Sequence, residues 1–397
     1  MKLAHLADLH LGYRQYTRQT PQGINQREAD VARAFRRALD DVVAQQPDLV
    51  VVAGDVFHSV RPTNTAILDA FRRFQDLRSR LDGVPIVLVA GNHDTPRSAE
   101  TGSILKLFEA ISGVHVVAHE PRRLVFAELD TAVLCVPNAS WSAAERPALE
   151  PDGTVTRNVL VTHREVEGVL PYEAAAALGY GGPPIRRSEL RAEAFDYVAL
   201  GHYHVVTKVE RNVWYAGALE YVTTNPWGES HERGAARQAG EKGWLFVELG
   251  TALRVRFRKI ALERAVLDLE PIEGTGLEAA ELDTAIATRL RAVRGGIEHQ
   301  IVRLVVHNVA RVTARELDHA AIREYKTRAL HFRLDLRRPQ ATRPVTLVER
   351  GRRRTLPALV EEYLRARQLA PGVPRDRFVT LGGEYVASAA QVGQDEG

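Results

Sequence analysis

Leu3-Ala-His-Leu-Ala-Asp-Leu-His-Leu-Gly12 runs as an apolar strand into a carboxylate, Asp8, and an imidazole, His10, and then stops at a glycine. Side chains of a strand alternate faces, so residues two apart point the same way. Asp8 and His10 on one face at a strand's carboxyl end make half of a metal site. The reading turns on whether the rest of the chain supplies further ligands from comparable positions.

It does so four times. Leu49-Val-Val-Val-Ala53 is fully apolar, as a strand buried on both faces should be, and ends in Gly54-Asp-Val-Phe-His58. Pro85-Ile-Val-Leu-Val-Ala90 ends in Gly91-Asn-His-Asp94, Asn158-Val-Leu-Val-Thr162 in His163, and Asp196-Tyr-Val-Ala-Leu200 in Gly201-His-Tyr-His204. Between the first strands the apolar period predicts helices. One spans residues 27–45 on the stripe Val31, Phe35, Leu39 and Val42. A second, capped by Thr63, carries Ile67, Leu68, Phe71, Phe74 and Leu77, and a third spans residues 98–111. Alternating strand and helix, with polar motifs at the carboxyl ends of strands, defines an α/β fold with its ligand site at those ends.

From Val114 shorter β-like runs follow, interrupted by a surface excursion at Gly181-Gly-Pro-Pro184. The strand Leu253-Arg-Val-Arg-Phe-Arg-Lys259 alternates apolar and basic residues, so one face should be wet. A first domain is expected over residues 1–262, and Glu270-Pro-Ile-Glu-Gly-Thr-Gly276 reads as a break. A second α/β unit over 270–337 should hold a helix, a strand, a helix capped by Thr313 and a last strand. After a linker, a tail over 345–386 carries the helical stripe Leu356, Leu359, Val360, Tyr363 and Leu364, which needs a partner surface. Residues 387–397 are polar or small and are expected to be disordered.

Composition bounds the function. The 397 residues carry 53 Lys and Arg against 50 Asp and Glu, so no global basic field announces nucleic acid, and any such binding must be local. Cys135, the only cysteine, sits in an apolar run and excludes a disulfide within the chain. No signal peptide or membrane-spanning run is evident, which leads to the expectation of a cytoplasmic protein. A Gly-x-x-x-x-Gly-Lys-[Ser/Thr] loop is missing, so any ATP hydrolysis must come from another protein.

Asp8, His10, Asp55, Asn92, His163, His202 and His204 together offer oxygen and imidazole donors without thiolate, a set suited to Mn²⁺ or Fe²⁺. A single carboxylate such as Asp55 can bridge two ions about 3.5–4 Å apart, as in two-metal hydrolysis of phosphoesters. Arg14, Arg61 and Arg97 lie near the motifs and are candidates for contact with backbone phosphate.

Ala7-Asp-Leu-His-Leu-Gly12, Ala53-Gly-Asp-Val-Phe-His58 and Gly91-Asn-His-Asp94 resemble the calcineurin-like metallophosphoesterase superfamily, and within it the SbcD-type nuclease subunits of double-strand-break repair. The resemblance implies a two-sheet sandwich flanked by helices, then a small α/β capping domain that steers DNA, then a helical C-terminal tail. It implies that Asp8, His10, Asp55 and His204 hold one metal, and that Asp55, Asn92, His163 and His202 hold the other. The implied cofactor is a pair of Mn²⁺ ions, with Fe²⁺ and Mg²⁺ as alternatives. His93 would stabilise the scissile phosphate or protonate the leaving oxygen, Asp94 would orient His93 by a hydrogen bond, and His58 would be a further active-site histidine. The implied function is a DNA exonuclease and endonuclease in repair and recombination, nucleoid-associated. Its implied partner is a coiled-coil ABC-type ATPase of the SbcC type bound through the tail, and a homodimer would form through the helices near 64–81 and 98–111. The alternatives are a phosphodiesterase or phosphatase of small substrates and a non-catalytic scaffold.

Overall fold

The structure, a computed structural model, describes residues 1–96, 102–143, 145–169, 184–232, 240–339, 356–367, 369 and 374–392. Strands β1 (Lys2–Leu6), β2 (Leu49–Ala53), β3 (Ile86–Val89) and β4 (Val114–Val117) pair in parallel in that order. Helices α1 (Gln26–Gln45) and α2 (Asn64–Arg80) cover one face, burying Val31, Phe35, Val42, Phe74 and Leu77 against it. Asn25 caps α1, and Thr63 caps α2 by accepting the Ala66 N–H at 3.1 Å, as expected. Leu68 departs from the predicted stripe: it lies at its edge and is 54% exposed. In place of the third helix there is a 3₁₀ segment, Ile104–Ala110, and residues 97–101 fall outside those described.

The chain then builds a second sheet from β5 (Arg122–Phe126), β6 (Thr131–Val136), β7 (Arg157–His163), β8 (Tyr197–Gly201), β9 (Thr207–Lys208) and β10 (Val213–Tyr215). Its order is β5-β6-β7-β8-β10-β9, with β6, β7, β8 and β10 parallel. Past the short helix α3 (Pro226–His231) the chain returns to the first sheet as β11 (Gly243–Leu249), antiparallel to β1, and β12 (Leu253–Lys259) at the edge. The two sheets stack through Leu3, Val51, Val87, Val133, Val161, Tyr197 and Leu245, which gives the expected two-sheet sandwich. The carboxyl ends of β2 and β8 come together at its rim. A Cβ added to Gly201 would stand 1.7 Å from the Ala53 carbonyl, so only glycine permits this approach. Three of the four basic residues of β12 are neutralised at the edge, Arg256 by Glu248, Arg258 by Asp41 and Lys259 by Glu241.

A third, parallel sheet is ordered β13 (Val266–Glu273), β14 (Ile301–His307) and β15 (His331–Leu336), with helices α4 (Ala279–Arg291), α5 (Arg311–Glu316) and α6 (His319–Arg328) between its strands. The break read at Glu270–Gly276 is in part the end of β13. Pro271 is tolerated there because β13 is an edge strand whose register shifts between Leu269 and Ile272. Thr313 lies inside α5, and the cap of α6 is Asp318, which accepts from Ala320 and Ala321. This sheet belongs to the same compact unit as the sandwich, Met1–Pro339. It docks through Trp227, Ile301, Leu330 and Tyr16, with the Tyr16 ring stacked on His331 at 4.1 Å. The second unit, Gln340–Gly397, contains α7 (Leu356–Ala366) packed on α8 (Arg375–Val392), with Val379 buried. Helix α8 reaches into the segment expected to be disordered, and the Gly181-Gly-Pro turn lies outside the described residues.

One buried ionic cluster ties α1 to the loop after β10. Arg27, 1% exposed, bridges Asp30 at 3.1 Å and Glu220 at 3.2 Å and donates to the Tyr221 carbonyl at 2.8 Å. Removing the cation would leave two like charges without it in the interior. Arg27→Met should therefore lower stability by about 3–5 kcal/mol, read as a shift of the denaturant midpoint.

Candidate metal centre

The rim where the two sheets meet collects the polar strand ends. The loops after β1 and β2 zip together, with the N–H groups of Asp8, His10 and Leu11 donating to the carbonyls of Gly54, Asp55 and Val56. Asp8 and Asp55 both adopt φ 51° and His10 φ 44°, left-handed values that turn the chain sharply as it leaves each strand. Gly91, which follows β3 by one residue, gives the Asp55 carboxylate its room: a Cβ there would lie 2.1 Å from Asp55 Oδ1.

Asp55 is the centre of the arrangement. Its Oδ1 accepts the His93 N–H at 2.8 Å, while Oδ2 lies 3.3 Å from His163 Nε2 and 3.6 Å from His10 Nε2. On one side His10 Nε2 faces His204 Nε2 at 3.1 Å, with Asp8 Oδ1 4.0 Å from the latter. On the other, Asn92 Oδ1 stands 3.0 Å from His163 Nε2 and 3.2 Å from His202 Nδ1. The Asp55 carboxylate thus belongs to both groups. His163 donates its Nδ1–H to the Ala53 carbonyl at 2.8 Å, which aims Nε2 inward.

Among the described residues, three sets of donors lie close enough to share a cation: Asp8, His10 and His204; Asp8, Asp55 and His163; and His10, His58 and His93. Imidazole nitrogens facing one another at such distances need a proton or a cation between them. Buried oxygen and nitrogen donors without sulfur fit hard or borderline divalent ions. The residues present therefore fit the implied pair of metals.

Burial sets the ionisation. Asp8 is pushed up to about 8 by loss of solvent, with His163 opposing and Asp55 reinforcing. Burial alone would lower His163, but the adjoining Asp55 carboxylate outweighs it and lifts the imidazole to about 9. Burial and the His163 charge take His202 down to about 3, and burial holds His10 and His204 well below the usual histidine range.

All seven predicted ligands and His93 meet in this cluster. His58 joins them through His10, Nδ1 to Nδ1 at 3.2 Å, with the Tyr13 ring set edge-on against it. Asp94 is a correction. Its carboxylate does not orient His93 but accepts the N–H groups of Val56, Phe57 and Gly91 at 3.0–3.1 Å, clamping the β2 and β3 loops together. His93 is oriented instead by its Nδ1–H on the His58 carbonyl at 2.7 Å. The carbonyls of Ala53 and His58 and the ring of Tyr13 escaped the sequence reading, because a carbonyl leaves no mark on residue type. Of the arginines, Arg14 is tied to Glu28 at 2.6 Å, Arg61 is exposed on the loop after His58, and Arg97 lies outside the described residues.

A model of the family described as calcineurin-like phosphoesterase matches residues 1–206. The DNA double-strand break repair protein Mre11 of Methanopyrus kandleri is 27% identical over 339 residues, which cover 81% of this chain and 68% of that protein. The protein of the same name from Sulfurisphaera tokodaii is 27% identical over 206 residues, 51% of this chain and 49% of its own length. The chain thus spans about half the length of the second relative. A solved structure of a dimetal phosphatase from Danio rerio aligns with a TM-score of 0.34 and 14% identity, over 65% of this chain and 96% of the other. The family model takes in β1 to β3, β7 and β8 and every strand-end motif just described, and covers more than half of the 397 residues, so the chain belongs to the calcineurin-like phosphoesterase family.

Proposed function

We propose that this chain is a metal-dependent DNA nuclease of double-strand-break repair, acting as exonuclease on duplex ends and endonuclease on single strands or hairpins. The observation that carries the reading is the Asp55 carboxylate held between two donor groups, together with the similarity to proteins named for double-strand-break repair. Asp8, His10, Asp55 and His204 would hold one cation, and Asp55, Asn92, His163 and His202 the other, with Mn²⁺ as the ion. Such a pair supplies a water of lowered pKa and neutralises phosphate charge. The chain's own residues do the rest. His93, with Nδ1 committed to the His58 carbonyl, keeps Nε2 for the phosphate or the leaving oxygen. His58 packs against His93 and His10 and keeps both rings in place. Arg61, exposed on the loop after His58, would contact backbone phosphate.

Assembly belongs to the same reading. Leu68 on α2 and Leu107 on the 3₁₀ segment, 54% and 42% exposed, suit a two-fold contact between copies of the chain. Tyr363 on α7 and Leu381 and Tyr385 on α8 are exposed apolar residues suited to an ABC-type ATPase partner of the SbcC type.

The Mn²⁺-loaded protein should cleave labelled duplex and hairpin DNA, and cleavage confined to a generic small phosphodiester would overturn the DNA assignment. His93→Ala should slow DNA cleavage by about 10²–10⁴-fold with cation binding preserved. Because Asp8 and His163 carry protons at neutral pH that a cation must displace, Mn²⁺ affinity should rise from pH 6 to pH 9. Calorimetry in two buffers of different protonation enthalpy should find about one to two protons released per chain at pH 7. Sedimentation should show a dimer at micromolar concentration, and Leu68→Glu with Leu107→Glu should give monomers.

A further inference from the structure

Lys242 and Glu229 form a buried ion pair that none of the chemistry above employs. Lys242, directly before β11, is 1% exposed, and Glu229, on α3, is 4% exposed. The Lys242 ammonium donates to Glu229 Oε1 and, at 2.8 Å, to the backbone carbonyl of His204, and it lies 4.8 Å from the centre of the Tyr221 ring. Glu229 Oε2 accepts the Thr223 hydroxyl at 2.9 Å. The His204 carbonyl receives a second donor, the Ala218 N–H, at 3.0 Å.

A buried lysine–glutamate pair is a poor source of stability, since apolar groups of like volume often do as well. What it offers is position. The ammonium has three donor directions, and here they face a helix-borne carboxylate, an aromatic ring and one peptide carbonyl. That carbonyl belongs to the residue whose Nε2 must stand 3.1 Å from His10 Nε2. The same segment is pinned at its other end, where His202, at φ 107°, donates its N–H to both oxygens of Asp8 at 3.1 Å. The base of the strut is itself anchored. Trp227 of α3 packs among Ile301 and Leu330 of the small sheet, and His231 Nε2 lies 2.7 Å from Asp268 Oδ2.

We propose that Lys242 and Glu229 are positioning residues that fix the His204 backbone so that its imidazole completes the cation site formed with Asp8, His10 and Asp55. This rests on the reading of His204 as a metal ligand, and the test separates the two. Mn²⁺ stoichiometry is measured on the full chain by equilibrium dialysis, and its electron paramagnetic resonance spectrum is recorded. The unaltered chain should bind two Mn²⁺ and give an exchange-coupled spectrum. Glu229→Gln with Lys242→Met removes both charges at nearly constant volume. It should weaken one of the two Mn²⁺ by about 10–100-fold and leave the six-line spectrum of an isolated ion. Glu229→Asp alone, which keeps both charges and shortens only the reach to Lys242, should weaken the same ion by several-fold. Two tightly bound, coupled Mn²⁺ in the folded double variant would overturn the inference. If the double variant does not fold, unchanged binding in Glu229→Asp would overturn it. Fewer than two Mn²⁺ in the unaltered chain would overturn the site reading, and this inference with it.

Discussion

A carboxylate buried at the seam of two sheets is the constraint on which the remainder of the molecule depends. Asp55 is 2% exposed, and burial would drive it to protonate. Its neighbours reverse that: His163, His10 and His93 hold its pKa well below the usual carboxylate range. Those neighbours come from three different strand ends, those of β7, β1 and β3, so the charge can be tolerated only where both sheets have already come together. Asp8 is also buried but has less compensation, and it is pushed the other way, to about 8. The two carboxylates, each two residues beyond its strand, are thus shifted in opposite directions, and a cation bound beside Asp8 would have to displace its proton.

Holding these groups costs backbone strain. Asp8, His10, Asp55 and His202 all have positive φ, at about 1–3 kcal/mol each where the residue is not glycine. The strain persists because other contacts over-determine it. The β1 and β2 loops are cross-bonded residue by residue, and the Asp94 carboxylate ties the β2 loop to Gly91 on the β3 side. Asp94 therefore serves the site as a clamp between loops, and the unfavourable conformations gather where the donors converge.

The parts of this arrangement that were legible in the sequence share one property: they are written in residue type at strand ends. Apolar runs of four or five residues closing on Asp-Leu-His, Gly-Asp, Gly-Asn-His-Asp, Thr-His and Gly-His-Tyr-His mark the donors that the structure brings together, because few side chains bind cations and strand ends converge. What stayed hidden depends on direction within a loop. Asp94 follows His93 in the chain, but in a tight turn successive side chains diverge, and its carboxylate points to the β2 backbone. Helical period gives the centre of an apolar stripe better than its edge, which is why Leu68 was assigned inward and lies outward. Pro271 suggested a break between domains, yet an edge strand with a shifted register absorbs it. Thr313 has the residue type of a cap, while the cap is Asp318, five residues on.

The donor set draws on strands of both large sheets within the compact unit of residues 1–339. The first three strands bring Asp8, His10, Asp55 and Asn92, and β7 and β8 bring His163, His202 and His204. Among the described residues no strand beyond β8 adds a donor to the cluster, yet the last histidine is steadied from there. The N–H of Ala218 and the ammonium of Lys242 meet on the His204 carbonyl, and Arg27 of α1 holds Glu220 and Tyr221 beside them. Helix α3 then joins this region to the small sheet, with Glu229 on the Lys242 side and Trp227 and His231 on the other. A site closed by a residue from β8 but held by residues that follow it cannot be complete until the later segments have folded onto the earlier ones. On the proposed role of Lys242 and Glu229, the small sheet bears on the site through α3, which it holds at Trp227 and His231.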